Sequence, residues 1–413
     1  MRNRLSQRFG SFTREFPRAF WPVVAVSFID GIGRTLLFPF FALYVTQRFN
    51  VGATQAGLVT GMFSVSGLVG SMVGGALTDR IGRKKLIIIG LVCSALTTLG
   101  LGLVNEMRWL YVVALISGLF GELAGPAHQA MIADILPEKQ RQEGFGILRV
   151  VNNLTWIVGP SIGGLLAGWS FFYLFISDAI ISCIVAVLFF FYIAESKPKP
   201  SEDQQPESFA KTFAGYGTVL KDLPFLAFIL TSILLGMVYI QMYGTLSIFL
   251  RDQHNIDPQG FGLLMSTSGI TVILFQLWVS RIIKWRPPFL MMTLGAIFYV
   301  IGFSLFGLVA AYWLFVGAII VITIGEMVIL PTASALAANF APESMRGRYM
   351  AAFSLVWALP AALGPAAAGF VLDNYDPSLL WLGGGALCAI AAAFYYYLHL
   401  RLGQHKKFAA SAE

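Results

Sequence analysis

Long apolar runs alternate with short polar breaks over nearly the whole chain. They lie at about 19–46, 55–78, 86–104, 108–132, 143–168 and 171–194, then at about 222–250, 257–283, 288–310, 312–338, 344–371 and 378–400. About twenty apolar residues rising 1.5 Å each cross a hydrocarbon layer of roughly 30 Å as a helix. The pattern predicts an all-α integral membrane protein with 12 transmembrane helices, numbered here as spans 1 to 12. One long polar stretch interrupts it. We therefore expect an N-terminal six-helix bundle over 1–194, a linker over 195–218, a C-terminal six-helix bundle over 219–400 and a tail over 401–413.

The second half repeats the first. Pro137-Glu138-Lys139-Gln140-Arg141 returns as Pro342-Glu343-Ser344-Met345-Arg346, 205 residues on. At that offset Gly159-Pro160 becomes Gly364-Pro365, Gly164 becomes Gly369, Asn50 becomes Asn255 and Gly57 becomes Gly262. Two pseudo-symmetric bundles related by an axis along the membrane normal would produce such a register.

Composition agrees with a membrane solvent. Of 413 residues 57% are hydrophobic and 12% charged, about half the charged share of a soluble domain. The net charge of +7 would suit nucleic acid if it were clustered, but it follows the spans. Arg2, Arg4, Arg8, Arg14 and Arg18 precede span 1, and further Lys and Arg follow spans 2, 4, 6, 8, 10 and 12. The alternate loops hold only Arg48, Arg108 and Arg251. The positive-inside rule then puts both termini in the cytoplasm and excludes nucleic acid as the partner. Compact loops suit a bacterial inner membrane. The polar, basic first 19 residues lack the apolar core of a cleavable signal. Cys93, Cys183 and Cys388 lie in separate apolar runs, which argues against disulfides or a metal cluster. His128, His254, His399 and His405 are scattered, and neither H-E-x-x-H nor G-x-S-x-G occurs. We expect no catalytic residues, metal or cofactor, and a monomer among lipids.

Ionisable residues inside spans carry the sharpest information, because charge in hydrocarbon is costly and faces a cavity or partner. Asp30, Glu122, Asp178 and Glu326 stand against Arg34 and Arg149. Asp30 and Arg34 are four apart and pair along one helix, and Arg149 is within reach of Glu122. These make Asp30 and Glu122 proton-coupling candidates, with Arg34 and Arg149 as polar partners. Asp178, about 10 Å from the outer edge, reads as a hydrated side chain. Glu326 sits near the repeat position of Glu122, yet no Lys or Arg lies deep in the second half. That marks Glu326 as the principal proton-coupling candidate. Pro126 predicts a kink in span 4.

Gly75-Ala76-Leu77-Thr78-Asp79-Arg80-Ile81-Gly82-Arg83-Lys84-Lys85 fills every defining position of G-x-L-x-D-R-x-G-R-[KR]-[KR], and Gly82 suits a positive φ. This resembles the signature loop of the major facilitator superfamily. The resemblance implies a cytoplasmic latch: Asp79 facing the start of helix 11, and Arg83 reaching an acid such as Asp134, with Gly75, Arg80 and Gly82 shaping the loop. In span 5, Gly146, Gly159, Pro160 and Gly163 resemble the antiporter motif, G-x8-G-x3-G-P-x2-G, with Thr155 in place of its second glycine. Gly325-Glu326-Met327-Val328-Ile329-Leu330-Pro331 resembles the helix 10 segment of proton-coupled multidrug transporters of the lactococcal type, which implies that Glu326 takes part in recognising protons and cationic drugs. Arg149 departs from that group, which has an acid there.

Substrate contacts are expected at Tyr239, Gln241, Met242, Tyr243, Phe353 and Trp357. The leading expectation is proton-coupled efflux of small amphipathic or cationic molecules by alternating access, with the proton as coupling ion. The alternative is a nutrient or metabolite carrier, a sugar or small-metabolite symporter or exporter of the same fold. The spans hold few Asn and Gln, which favours efflux. A non-transporting sensor would lack the loop motif and the buried acids.

Overall fold

A computed structural model describes residues 15–196, 219, 221–342 and 345–402, apart from the side chains of Asp79, Glu138, Gln142, Arg346 and Gly347. The contacts expected of Asp79, nearly all of the linker and the end of the tail lie outside the described residues. Among those described, twelve helices are long and apolar enough to cross a membrane, and there is no strand. The outward faces are apolar: Met72, Leu277 and Trp313 are exposed. In lipid this is the expected surface, since hydrocarbon solvates such side chains and the helix satisfies its own backbone.

Several spans are broken into two helices. Span 1 is two helices, Phe20–Leu37 and Phe41–Phe49, joined by a 3-10 turn over Phe38–Phe40. Span 7 copies this with Leu223–Tyr239, a 3-10 turn over Ile240–Tyr243, then Thr245–His254. Span 4 breaks into Met107–Gly121 and Gly125–Ile135, with Pro126 in the first turn of the second piece, where its missing N–H costs nothing. Glu122 falls in the break. Spans 2, 3, 5 and 6 are Ala53–Ile81, Arg83–Leu103, Glu138–Trp169 and Phe172–Tyr192. In the second half, spans 8, 9, 10 and 12 are Pro258–Ile283, Pro288–Phe306, Tyr312–Phe340 and Ser378–Leu402. Span 11 continues from a short helix into Leu355–Asn374.

By contacts the chain falls into two compact units. One holds the described residues up to Phe38 and from Met62 to Ser196, around a core that includes Phe20, Val23, Met131, Val185 and Phe189. The other holds Pro39–Gly61 with the described residues from 219 onward. The end of span 1 and the start of span 2 therefore belong by packing to the second unit, whereas chain order alone places them in the 1–194 bundle.

The repeat in sequence is a repeat in contacts. Gly31 of span 1 lies so close to span 5 that a Cβ would meet Thr155 at 2.6 Å; 205 residues on, a Cβ on Gly236 would meet the carbonyl of Val356 at 2.6 Å and Pro360, the counterpart of Thr155, at 2.8 Å. Gly159 is pressed on Thr35, and its counterpart Gly364 on Ile240, the counterpart of Thr35. Asn50 and Asn255 end their helices at φ 51° and 52°, a left-handed conformation that Asn tolerates.

One contact breaks the symmetry. Asp257 caps span 8 by accepting from Gly260 N at 2.7 Å. Its counterpart before span 2 is Gly52, which has no side chain to cap with. Asp373, at the end of span 11, fills that role from afar: it accepts from Ala53 N and Thr54 N, each at 2.8 Å, and from Thr54 Oγ1 at 2.6 Å. A Cβ on Gly52 would meet Asp373 at 2.5 Å, so the glycine makes room for the imported cap. Asp373→Ala should lower stability by about 0.5–2 kcal/mol, the usual worth of an N-cap, measured as a fall in melting temperature in detergent. Adding Gly52→Asp to that variant should recover most of the loss by restoring the local cap that span 8 already uses.

Candidate functional site

The N-terminal unit holds a partly open cavity of about 150 Å³ lined by spans 1, 3, 4 and 6. Span 1 supplies Ser27, Asp30 and Arg34 from one face of the helix, as their spacing of three and four requires. The broken middle of span 4 supplies Glu122, and its second piece His128. Span 6 supplies Asp178 and Ser182, and span 3 contributes Ser94 beside apolar neighbours.

Arg34 Nε lies 3.5 Å from Asp30 Oδ2. Both Asp30 and Arg34 also lie within electrostatic reach of Glu122, His128 and Asp178. Asp178 is only 6% exposed, and its carboxylate accepts a hydrogen bond from Thr98. It presses on Gly33, where a Cβ would meet Oδ1 at 2.8 Å. So Asp178 is a buried member of the cluster rather than a hydrated rim residue, because Gly33 opens a notch for it in span 1. Arg149 takes no part: it is exposed on span 5 and does not line the cavity. The cation within electrostatic reach of Glu122 is instead Arg34 of span 1. His128 was not foreseen. Treating every ionisable residue in an apolar run as functional, histidine included, would have found it.

On the loop between spans 2 and 3, Gly82 has φ 98°, and a Cβ there would meet the Glu195 carboxylate at 2.5 Å. Glu195, just past span 6, accepts from Arg83 N at 2.9 Å and Lys84 N at 3.2 Å, capping the start of span 3 where an anion is favoured. Arg83 is buried, and its Nε donates to Asp134 Oδ2 at 3.0 Å. Ser196 also donates to that oxygen, at 3.2 Å. Gly75 makes only ordinary contact with Pro126, and Arg80 is exposed.

The span 5 glycines divide into two kinds. Gly159, beside Pro160, carries the close approach to Thr35, whose hydroxyl donates to Gly31 O and lies 2.9 Å from Thr155 O. Gly163 is buried, while a Cβ on Gly146 would meet nothing within 4 Å. Thr155 is fully buried and fits where the motif has glycine because the facing residue, Gly31, is the small one.

In the second unit Glu326 lies within electrostatic reach of the phenols of Tyr239, Tyr243 and Tyr299. Gly325 and Gly295 let spans 9 and 10 approach there: a Cβ on Gly325 would meet Gly295 O and the Tyr299 ring, both at 2.8 Å. Tyr239 stacks on Tyr299 at 5.8 Å and meets Trp357 edge-on at 6.0 Å, and its hydroxyl bonds that of Tyr243 at 2.6 Å. Two residues expected as substrate contacts are buried among protein partners. Phe353 is buried in a stack with Phe228, at 6.1 Å and 4°. Gln241 is buried, donates to Met237 O and accepts from Thr245 Oγ1, which satisfies the turn in span 7. Met242 is also fully buried.

A twelve-span helical membrane protein built on an internal repeat, with an ionisable cavity inside one half, has the architecture of a secondary transporter. The chain belongs to the Major Facilitator Superfamily, whose family model matches residues 23–365 and 242–413. It is 28% identical over 389 residues to a Na(+), Li(+), K(+)/H(+) antiporter of Planococcus maritimus, covering 87% of this chain and 89% of that one. It is 22% identical to the quinolone resistance protein NorA of Staphylococcus aureus, covering 88% and 92%. Among solved structures, a POT family transporter in complex with 5-aminolevulinic acid superposes with a TM-score of 0.80 at 16% identity, covering 93% and 96%; that likeness concerns the fold.

The exchange of small residues between spans 1 and 5 is testable. Gly31→Ala alone should cost about 1–3 kcal/mol through overpacking against Thr155, read as a lower melting temperature in detergent. Gly31→Ala with Thr155→Gly should regain most of it, and the non-additivity in a double-mutant cycle would measure the contact.

Proposed function

We propose that this transporter is a proton-coupled antiporter that exports small amphipathic, chiefly cationic, compounds by alternating access. One observation carries the reading: three carboxylates, Asp30, Glu122 and Asp178, share the N-terminal cavity with one guanidinium, Arg34. With all of them ionised and His128 neutral, these groups sum to −2. Such a surplus inside a membrane calls for bound protons or a mobile cation. At about 150 Å³ the cavity is smaller than the ~300–1,000 Å³ of drug-sized sites, so it suits protons or a small ion. In the second unit, Glu326 beside Tyr239, Tyr243 and Tyr299, with Trp357 against Tyr239, offers an acid and aromatic faces of the kind that hold organic cations.

The same carboxylate surplus supports a second reading, exchange of an inorganic monovalent cation for protons, and the Planococcus relative carries that name. The metabolite-carrier alternative has less support, since Gln241 is engaged within its own span. In the favoured reading the basic loops and both termini face the cytoplasm, the Arg83–Asp134 pair belongs to the inner latch, and the chain works as a monomer in a bacterial inner membrane.

Proteoliposomes test this with a fluorescent lipophilic cation, with and without an imposed pH gradient. The gradient should drive dye movement in the native chain. Glu326→Gln should lose most of that coupled movement. If dye ignores the gradient while Na⁺, Li⁺ or K⁺ pulses release protons, the inorganic exchange reading replaces drug efflux.

A further inference from the structure

The antiport reading uses the carboxylates of the N-terminal cavity and leaves His128 without a role. Its hydrogen bonding gives it one. Ser27 Oγ lies 2.7 Å from Val23 O, one helical turn back, and 3.0 Å from His128 Nε2. Two oxygens 2.7 Å apart with no proton between them repel, so the serine's single proton lies toward the Val23 carbonyl. Nε2 must then be the donor to the serine oxygen. A neutral imidazole carries one N–H, so the lone pair is on Nδ1.

We propose that His128 is a proton-carrying residue of this cavity, accepting its proton at Nδ1 while Nε2 stays bonded to Ser27. The inference rests on the proton-coupled reading only for its use in transport. The step balances simply: a cavity hydronium gives up one O–H bond, an N–H bond forms at Nδ1, and water is left. With the carboxylates ionised, the cavity goes from −2 to −1, and the existing Ser27 contact is kept. The groups facing the imidazole are Ser27, Asp30 and Arg34 of span 1, Glu122 of span 4 and Asp178 of span 6. Span 3 brings no titratable group to the lining, and span 5 brings none, its Arg149 lying outside.

The serine is a fixed acceptor for the ring, since its own proton is committed to the helix. That makes His128 a ring held in one tautomer with its basic nitrogen free of that bond, as a proton carrier requires. Asp30 and Arg34, one of each sign, both lie within electrostatic reach of the ring. At the repeat position in the second half the counterpart of His128 is Ala333.

The test is spectroscopic first. The native chain is labelled with carbon-13 and nitrogen-15 in histidine and placed in lipid nanodiscs, and the signal missing from His128→Gln is assigned to His128. The neutral ring should show the Nε2–H tautomer and convert to imidazolium between about pH 5 and 8. An Nδ1–H tautomer, or a shift that stays constant over that range, would overturn the proposal. His128→Asn provides the assignment if the Gln variant does not fold. In proteoliposomes the folded variant should lose the pH dependence of gradient-driven transport across the same range. An unchanged pH profile would also overturn the proposal. Should the native chain ignore the gradient while His128 still titrates through Nδ1, the antiport reading falls and the protonation site stands.

Discussion

Close backbone contact between helices is what the rest of this structure depends on. Lipid tails are as apolar as leucine, so burial of apolar side chains does little to bring spans together, and the helices must meet through packing at small residues. Gly70 and Gly74 are pressed on the carbonyls of Leu119 and Leu123, and a Cβ on either would come within 2.0 Å of the oxygen. Gly57 and Gly61 of the same helix meet Pro365 and Ala362 of span 11 just as closely. Span 2 is thus a glycine-faced helix over its whole length, although its two ends belong to different compact units. The same contacts decide where polar groups can go. Gly33 leaves the notch that Asp178 fills, Gly52 admits Asp373, and Gly82 admits Glu195.

Charge is the second constraint, and it follows from the first. A carboxylate in a bilayer needs a partner or a water-lined space, and close packing leaves few spaces. The first half gathers three acids of its spans around one cavity, where a single guanidinium serves them. At the membrane edge, by contrast, several charges are engaged with a partner or a helix start: Arg83 with Asp134, Glu195 with the start of span 3, Asp373 with the start of span 2. The interior surplus is the arrangement that leaves something to bind.

Much of the fold was legible in the sequence because membrane helices announce themselves by length and apolarity, and because the 205-residue register ties distant residues together. Asn50 and Asn255, matched as letters, share one backbone conformation. Gly82 was readable as a positive φ, and Arg83 with Asp134 as neighbours through the motif. The cavity was only half legible. Asp30 and Arg34 declare their pairing by spacing within one helix, whereas Asp178 and His128 join the cluster through tertiary packing that no local spacing encodes. Arg149 misled for the same reason: depth along a span says nothing of which way the helix face turns. Phe353 and Gln241 were chosen as ligand contacts by residue type, and the structure places one in a buried aromatic stack and the other at a helix break.

The repeat finally explains why two similar frames need not do the same work. Asp30, Arg34, His128 and Asp178 have as counterparts Leu235, Tyr239, Ala333 and Gly383. The shared contacts at Gly31 and Gly236, and at Gly159 and Gly364, keep the helices in corresponding places, so substitution changes chemistry without changing the frame. Where the first half has an arginine, the second has a tyrosine stacked on Tyr299 beside Glu326. Charge-rich and aromatic-rich surroundings favour different ligands: the first a proton or small ion, the second a cation with an apolar body. On the antiport reading, duplication supplied two equivalent scaffolds, and divergence at four or five positions gave one of them to the coupling ion and the other to the cargo.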